Sequence, residues 1–230
     1  MDFARTELLK LLSENERVRV RVFEDYSNVE AIRESDFLIT YTCDVVPDGE
    51  TQRMLRDYVL NGRRWFALHG TNSILNFLEN GKVEAPDWAP LFMDTLGTAF
   101  VAHPPIGPYM VEVTDANHPL TSGIEQFETT DELYLSRTVA PIQTLLHCQF
   151  EGEAPAFVVD QWESVTQPVL YIRSLGKGAV LYLTLGHCRG HYDMRPLIDY
   201  FPDVQRGSWE LPVFHELVRR GIAWASGDLG

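Results

Sequence analysis

The chain has 230 residues, 45% of them hydrophobic, and 33 acidic against 19 basic side chains give a net charge of −14. That length fits one α/β domain over residues 1–230, and the acidity excludes partners that present a phosphate backbone, so no nucleic acid is expected. No apolar run approaches the ~20 residues of a membrane span, the first residues lack a signal-peptide pattern, and three cysteines without a CxxC spacing fit a reducing cytoplasm.

Residues 2–14 read as an amphipathic helix, with Phe3, Leu8, Leu9, Leu11 and Leu12 near one face. Val18, Val20 and Val22 alternate with arginines and predict a strand ending at Phe23. A short helix over 28–34 and a strand over 36–41 follow. Pro47 and Asp48 open a helix that Asn61-Gly62 closes. Trp65-Phe66-Ala67-Leu68-His69-Gly70 reads as a buried strand that turns sharply into a helix over 72–78, with Thr71-Asn72 as its cap. The next thirty residues, with Trp88 and Ala102-His103-Pro104-Pro105, read as an irregular functional loop. Strands are expected at 109–113, within 128–134 and at 143–148. The runs 168–173 and 179–184 flank Gly176-Lys177-Gly178 as a hairpin, and its second arm leads to Gly186-His187. A last helix spans 209–225. This alternation predicts a mostly parallel sheet with helices on both faces.

In such sheets ligands bind at the carboxyl ends of the strands. His69 and His187 both stand there and are the first candidates for catalysis; the structural alternative for His69 is a helix cap. His103 is stiffened by the two prolines that follow it. Asp131 and Glu132 are adjacent, so on an extended chain only one can face the crevice. Glu132 is taken as general base or ligand, and Asp131, Tyr134 and Arg173 as substrate contacts. The spacing from His187 to His191 suits a metal site, but Gly190 disfavours the helix that would align them. His118, His147 and His215 read as structural or surface residues. His69, His103 and His187 form a candidate set for a divalent metal, Zn²⁺ or Mn²⁺, with a position left open for water. Without a metal the same groups are acid and base.

Seven short motifs occur in order: Leu68-His69-Gly70, Ala102-His103-Pro104, Asn117-His118-Pro119-Leu120, Asp131-Glu132-Leu133-Tyr134, Gly176-Lys177-Gly178, Gly186-His187 and Gly221-Ile222-Ala223-Trp224-Ala225. In this order the chain resembles the ThuA-like (trehalose utilization) family, from its first residues to about Gly227. The resemblance implies a flavodoxin-like, class I glutamine amidotransferase-like fold. It also implies a strand, a glycine-containing turn and a His-Asp pair ahead of the first helix, so the expected fold lacks the usual first strand. Related amidotransferases carry a nucleophilic cysteine where His69 stands and a histidine where His187 stands, so no glutaminase activity is expected. The resemblance further implies a small sugar or keto-glycoside substrate, acted on by hydrolysis or acid–base elimination, with Trp88 or Tyr134 stacking on a sugar face. The alternative is a non-catalytic small-molecule or partner-binding module on the same scaffold. Exposed edge strands suit a homodimer.

Overall fold

A computed structural model describes residues 2–229. Its helices are α1 (Asp2–Ser13), α2 (Val29–Glu34), α3 (Gly49–Leu60), α4 (Pro90–Leu96) and α5 (Pro212–Ser226). Its strands are β1 (Phe37–Tyr41), β2 (Arg64–Leu68), β3 (Asn76–Phe77), β4 (Val83–Glu84), β5 (Thr98–Ala102), β6 (Gly107–Val113), β7 (Phe127–Asp131), β8 (Leu135–Thr138), β9 (Gln143–Glu153), β10 (Gln161–Leu175) and β11 (Gly178–Leu183).

Seven strands form the main sheet in the order β1-β2-β11-β10-β9-β6-β7. Only β1–β2 and β2–β11 are parallel; the other neighbours run antiparallel. The mostly parallel sheet expected from the sequence is therefore corrected to a mixed one. The cause is the tight turn at Gly176-Lys177, which reverses the chain without a crossover helix. It sets the 15-residue β10 against β11 on one side and β9 on the other.

Alternation along the strands divides the interior into two cores. Phe66, Leu68, Leu181 and Leu183 point to one face, where α1 and α5 cover them. Trp65, Ala67, Val180 and Tyr182 point to the other, under α3 and α4 and beside Tyr26 and Ile32 at α2. Trp65, Phe66, Tyr171 and Tyr182 are fully buried, each large apolar side chain contributing roughly 1.5–3 kcal/mol over an exposed one. Among the described residues no helix is long and apolar enough to cross a membrane.

Three local expectations are also corrected. Residues 18–23 form no strand, and Val20, Val22 and Phe23 are exposed. Alternation makes a strand possible there, but a strand requires a neighbour to bond. The helix expected over 72–78 is a four-residue 3₁₀ turn, His69–Asn72. Its capping groups are used elsewhere: Thr71 Oγ1 donates to the Leu68 carbonyl at 2.8 Å, and Asn72 Nδ2 donates to Thr98 Oγ1 at 2.9 Å. The stretch read as an irregular loop holds β4, α4 and β5. Pro90 opens α4 at its first turn and Gly97, at φ +97°, closes it.

Candidate active site

The parallel strands β1, β2 and β11 end on one side of the sheet, and the chain leaving them builds a crevice. β2 ends at Leu68, and His69 follows with a left-handed backbone, φ +43°, uncommon for a residue with a side chain. Gly70 makes the turn possible, since a Cβ there would collide with Thr42 O and Cys43 Cβ on the chain leaving β1. The His69 Nδ1 lies 3.0 Å from the carbonyl of Thr184, just past β11. A carbonyl only accepts, so Nδ1 carries a proton and Nε2 is the atom presented to the crevice. Tyr134 Oη lies 3.4 Å from that Nε2, and the Tyr41 ring stacks on the imidazole with centroids 5.9 Å apart.

Asp131 and Glu132 leave β7 in opposite directions and do different things. The Asp131 carboxylate is buried and accepts from five donors: the backbone N–H groups of Glu132 (2.8 Å), Gly186 (3.0 Å), His187 (3.0 Å) and Ser208 (2.8 Å), and Ser208 Oγ (2.5 Å). It ties the chain after β11 to the turn before α5. Gly207, at φ +50°, allows the approach, because a Cβ would meet Asp131 Oδ2 and the His187 carbonyl. The oxygens of Asp131 are thus committed to this clasp.

Glu132 turns into the crevice. Its Oε2 is 3.4 Å from His69 Nε2; its Oε1 is 3.0 Å from His187 Nδ1, 3.5 Å from Arg189 Nη2 and 3.8 Å from His103 Nε2. Burial alone would raise its pKa. Hydrogen bonds from His187 and His69, with the charges of His103 and His187, outweigh burial and hold the carboxyl well below its usual range. For His69 burial would lower the pKa, but the hydrogen bond and charge of Glu132, aided by Asp131, hold it above its ordinary value. His187 is anchored from behind by Gln205, whose Oε1 lies 2.7 Å from Nε2. One ligand atom from each of His69, Glu132 and His187 lies within 4.8 Å of the others, all three residues being buried. Two imidazoles and a carboxylate so arranged can share a proton or hold a divalent cation.

The structure brings His69, Glu132, His187, His103 and Tyr134 together. Among the described residues, no hydrogen bond or ring contact joins Trp88 to them, and Arg173 lies elsewhere on the sheet. Trp88 is 55% exposed ahead of α4. The Arg173 guanidinium bonds the carbonyls of Asp94 and Ser174, and the register Arg173–Val180–Trp65 places it toward the amino end of β2. His191 stacks on Tyr200 and bonds the Phe201 carbonyl, outside any helix. His118, His147 and His215 bond Leu120 N, Thr114 Oγ1 and Trp209 O. Cys188 Sγ lies 3.3 Å from Tyr41 Oη, away from the elbow at His69. Sequence reasoning missed Arg189 and Gln205. The signal for Arg189 was its place two residues past His187, on the same side of an extended chain; Gln205 had none.

The fold and centre define a mixed α/β scaffold that gathers two histidines and a carboxylate at the ends of its parallel strands. The ThuA family profile, described as trehalose utilisation, matches residues 2–200, and the chain belongs to that family. Membership supports a carbohydrate-related role. Among solved structures, the chain is similar to a ThuA-like protein from Bacteroides uniformis at 20% identity and a TM-score of 0.64, covering 96% of this chain and 83% of that one. A ThuA-like protein from Parabacteroides merdae shares 17% identity at a TM-score of 0.61, covering 98% and 85%. A protein of Salmonella typhimurium described as cytoplasmic shares 12% at a TM-score of 0.50, covering 95% and 85%. No curated protein matches the chain by sequence.

Proposed function

We propose that this chain is an enzyme acting on a small sugar or keto-glycoside by hydrolysis or acid–base elimination at His69, Glu132 and His187, with a divalent cation, Zn²⁺ or Mn²⁺, held by the same three groups. The observation that carries the reading is the convergence of these three buried side chains within 4.8 Å. Family membership supports the carbohydrate class.

The donor set fits a cation. Thr184 fixes His69 with Nε2 forward, Gln205 fixes His187 with Nδ1 forward, and Glu132 supplies the anionic oxygen; such rear contacts orient the ligands of a metal centre. A bound cation would polarise a substrate carbonyl or hydroxyl and acidify a water. The chain's own groups divide the remaining work. His103 is the most open of them, its side chain 25% exposed against 8% for His69 and 4% for His187. Its Nδ1 faces the Pro104 carbonyl at 2.8 Å, which leaves Nε2 with a lone pair for a substrate proton. Glu132 holds the two buried imidazoles in register, and Tyr134 Oη is placed to meet a substrate oxygen beside His69.

The test is elemental analysis of the purified chain with His69→Ala and His187→Ala, followed by a panel of sugars and keto-glycosides. Stoichiometric zinc or manganese, lost in both variants while circular dichroism stays native, is the expected result. A folded wild-type chain that takes up neither metal and turns over nothing would overturn the reading in favour of a binding module.

A further inference from the structure

Arg189 stands at the centre, yet the proposed chemistry leaves it unused. Its Nη2 lies 3.5 Å from Glu132 Oε1, beyond the ~2.7–3.2 Å of an N–H···O bond. His187 Nδ1, at 3.0 Å, is the closer donor to that oxygen. Among the described residues the guanidinium makes no hydrogen bond, and the side chain is 22% exposed. A guanidinium carries several N–H donors in a planar fork, so nearly all of this capacity is unspent. Openness also separates the groups around Glu132. His69 and His187 are buried, whereas His103 and Arg189 both approach Oε1 and both reach solvent. These two are the groups that an incoming molecule meets first.

The backbone holds Arg189 at this post. Arg189 N donates to the Gln205 carbonyl at 3.0 Å, and Gln205 N donates to the Arg189 carbonyl at 2.9 Å. The same bridge therefore sets Arg189 beside Glu132 and Gln205 behind His187. The guanidinium carbon lies over the Phe201 ring, 4.9 Å from its centroid. Phe201 is fixed in turn by His191, whose carbonyl accepts from Phe201 N at 2.7 Å and whose Nδ1 lies 2.8 Å from the Phe201 carbonyl. The ring supports the charge and leaves the hydrogen-bonding capacity for another acceptor.

We propose that Arg189 is the specificity residue of the centre and receives a carboxylate, so that the substrate is a sugar acid, a sugar or glycoside carrying a carboxylate group. The proposal rests on the carbohydrate reading of the same site given above. Nη2 is the nitrogen nearest Glu132, which leaves Nε and Nη1 without a protein acceptor among the described residues. One planar fork matches the two coplanar oxygens of a carboxylate, whereas a phosphate calls for donors around three oxygens. Charge points the same way. A chain of net charge −14 repels anions in general and admits one only where a cation is placed for it. Glu132 also has three imidazoles within 4 Å, so Arg189 is not its sole counter-group and retains attraction for a second carboxylate.

The test is titration calorimetry of the purified chain with glucuronate, galacturonate, gluconate, glucose, glucose 6-phosphate and acetate, with metal content and circular dichroism recorded on each sample. At least one sugar acid should bind about tenfold more tightly than glucose and acetate. Arg189→Gln should abolish that preference with native circular dichroism. Arg189→Lys keeps the charge but not the fork and should recover only part of the preference; it serves as the comparison if Arg189→Gln does not fold. Equal affinity for the sugar acids and glucose, or a preference that persists in Arg189→Gln, would overturn the proposal. Full recovery by lysine, or tighter binding of glucose 6-phosphate, would overturn the carboxylate assignment. Acetate binding as tight as that of the sugar acids would leave only a general anion site. Because metal and turnover are measured separately, the two readings fail differently. A chain that takes up metal and turns over a neutral keto-glycoside, with no preference for acids, fails here alone. A chain that binds sugar acids through Arg189 with neither metal nor turnover overturns the proposed function alone.

Discussion

Where β2 and β11 end, buried charge is met on every side: Glu132 lies within 4 Å of three imidazoles and a guanidinium, and Asp131 accepts from five donors. Along the outer edge of β1, backbone groups face open space, and among the described residues the backbone groups of Arg19 to Phe23 make no hydrogen bond. The contrast follows from solvation. A charge removed from water must find its partners inside the protein, whereas a peptide group at an open groove is served by water until a better partner arrives. The crevice should therefore be intolerant of single changes, and the edge tolerant of them.

The largest effect is expected at the clasp. Asp131→Ala would strand the N–H groups of Gly186, His187 and Ser208 in the interior, a loss of about 3–5 kcal/mol measurable by urea denaturation. A loss under about 1 kcal/mol would show that water replaces the carboxylate and would erase the contrast.

Next comes Gln205→Ala, which leaves the three central groups in place but frees the rear of His187. Metal affinity should fall 10–100-fold by titration calorimetry, as for other partners behind a ligand histidine. Unchanged affinity would mean that the rear contact orients nothing.

The pH dependence of the metal-free chain is smaller and has two limbs. His69 has a raised pKa, so its contribution is complete below its unfolded value near 6.5 and is lost as pH rises through the higher folded value. Glu132 has a lowered pKa, so its contribution is present above 4.5 and lost as pH falls through the lower folded value. Stability should thus decline on the alkaline side of neutrality, and His69→Gln should flatten that limb. An unchanged slope in the variant would assign it to another group.

The smallest effect is expected at Trp88, which is 55% exposed. Trp88→Ala should move stability by no more than ~0.5 kcal/mol. A raised KM on any substrate found would bring this residue back to the binding surface.

Much of the centre could be read from residue order because strand ends are recognisable. An apolar run that stops at His69, another that stops at Gly186-His187, and an acidic pair leading into Leu133-Tyr134 place side chains at one side of a sheet before any coordinates are known. The division between Asp131 and Glu132 was only half visible. Alternation says that they diverge, but the donors that claim Asp131 come from Gly186 and Ser208, more than fifty residues away. The same reason hid Gln205. Errors in secondary structure also arose from distant partners. Thr71 and Asn72 have the side chains of a helix cap but spend them on Leu68 and Thr98. Residues 18–23 have the pattern of a strand but no neighbour. The mixed sheet followed from a two-residue turn whose identity was visible, while its effect on the long β9–β10 pair was not.

The centre is assembled from chain positions 69, 103, 132, 187 and 205, and this spread has a consequence for biosynthesis. His69 and Glu132 leave the ribosome well before His187 and Gln205 are made, at synthesis rates of ~5–20 residues per second. During that interval Glu132 lacks its 3.0 Å partner, and Asp131 lacks four of its five donors. The crevice side of the nascent domain must stay hydrated until the last quarter of the chain arrives, so closure of the centre is a late event that reports completion of the whole fold.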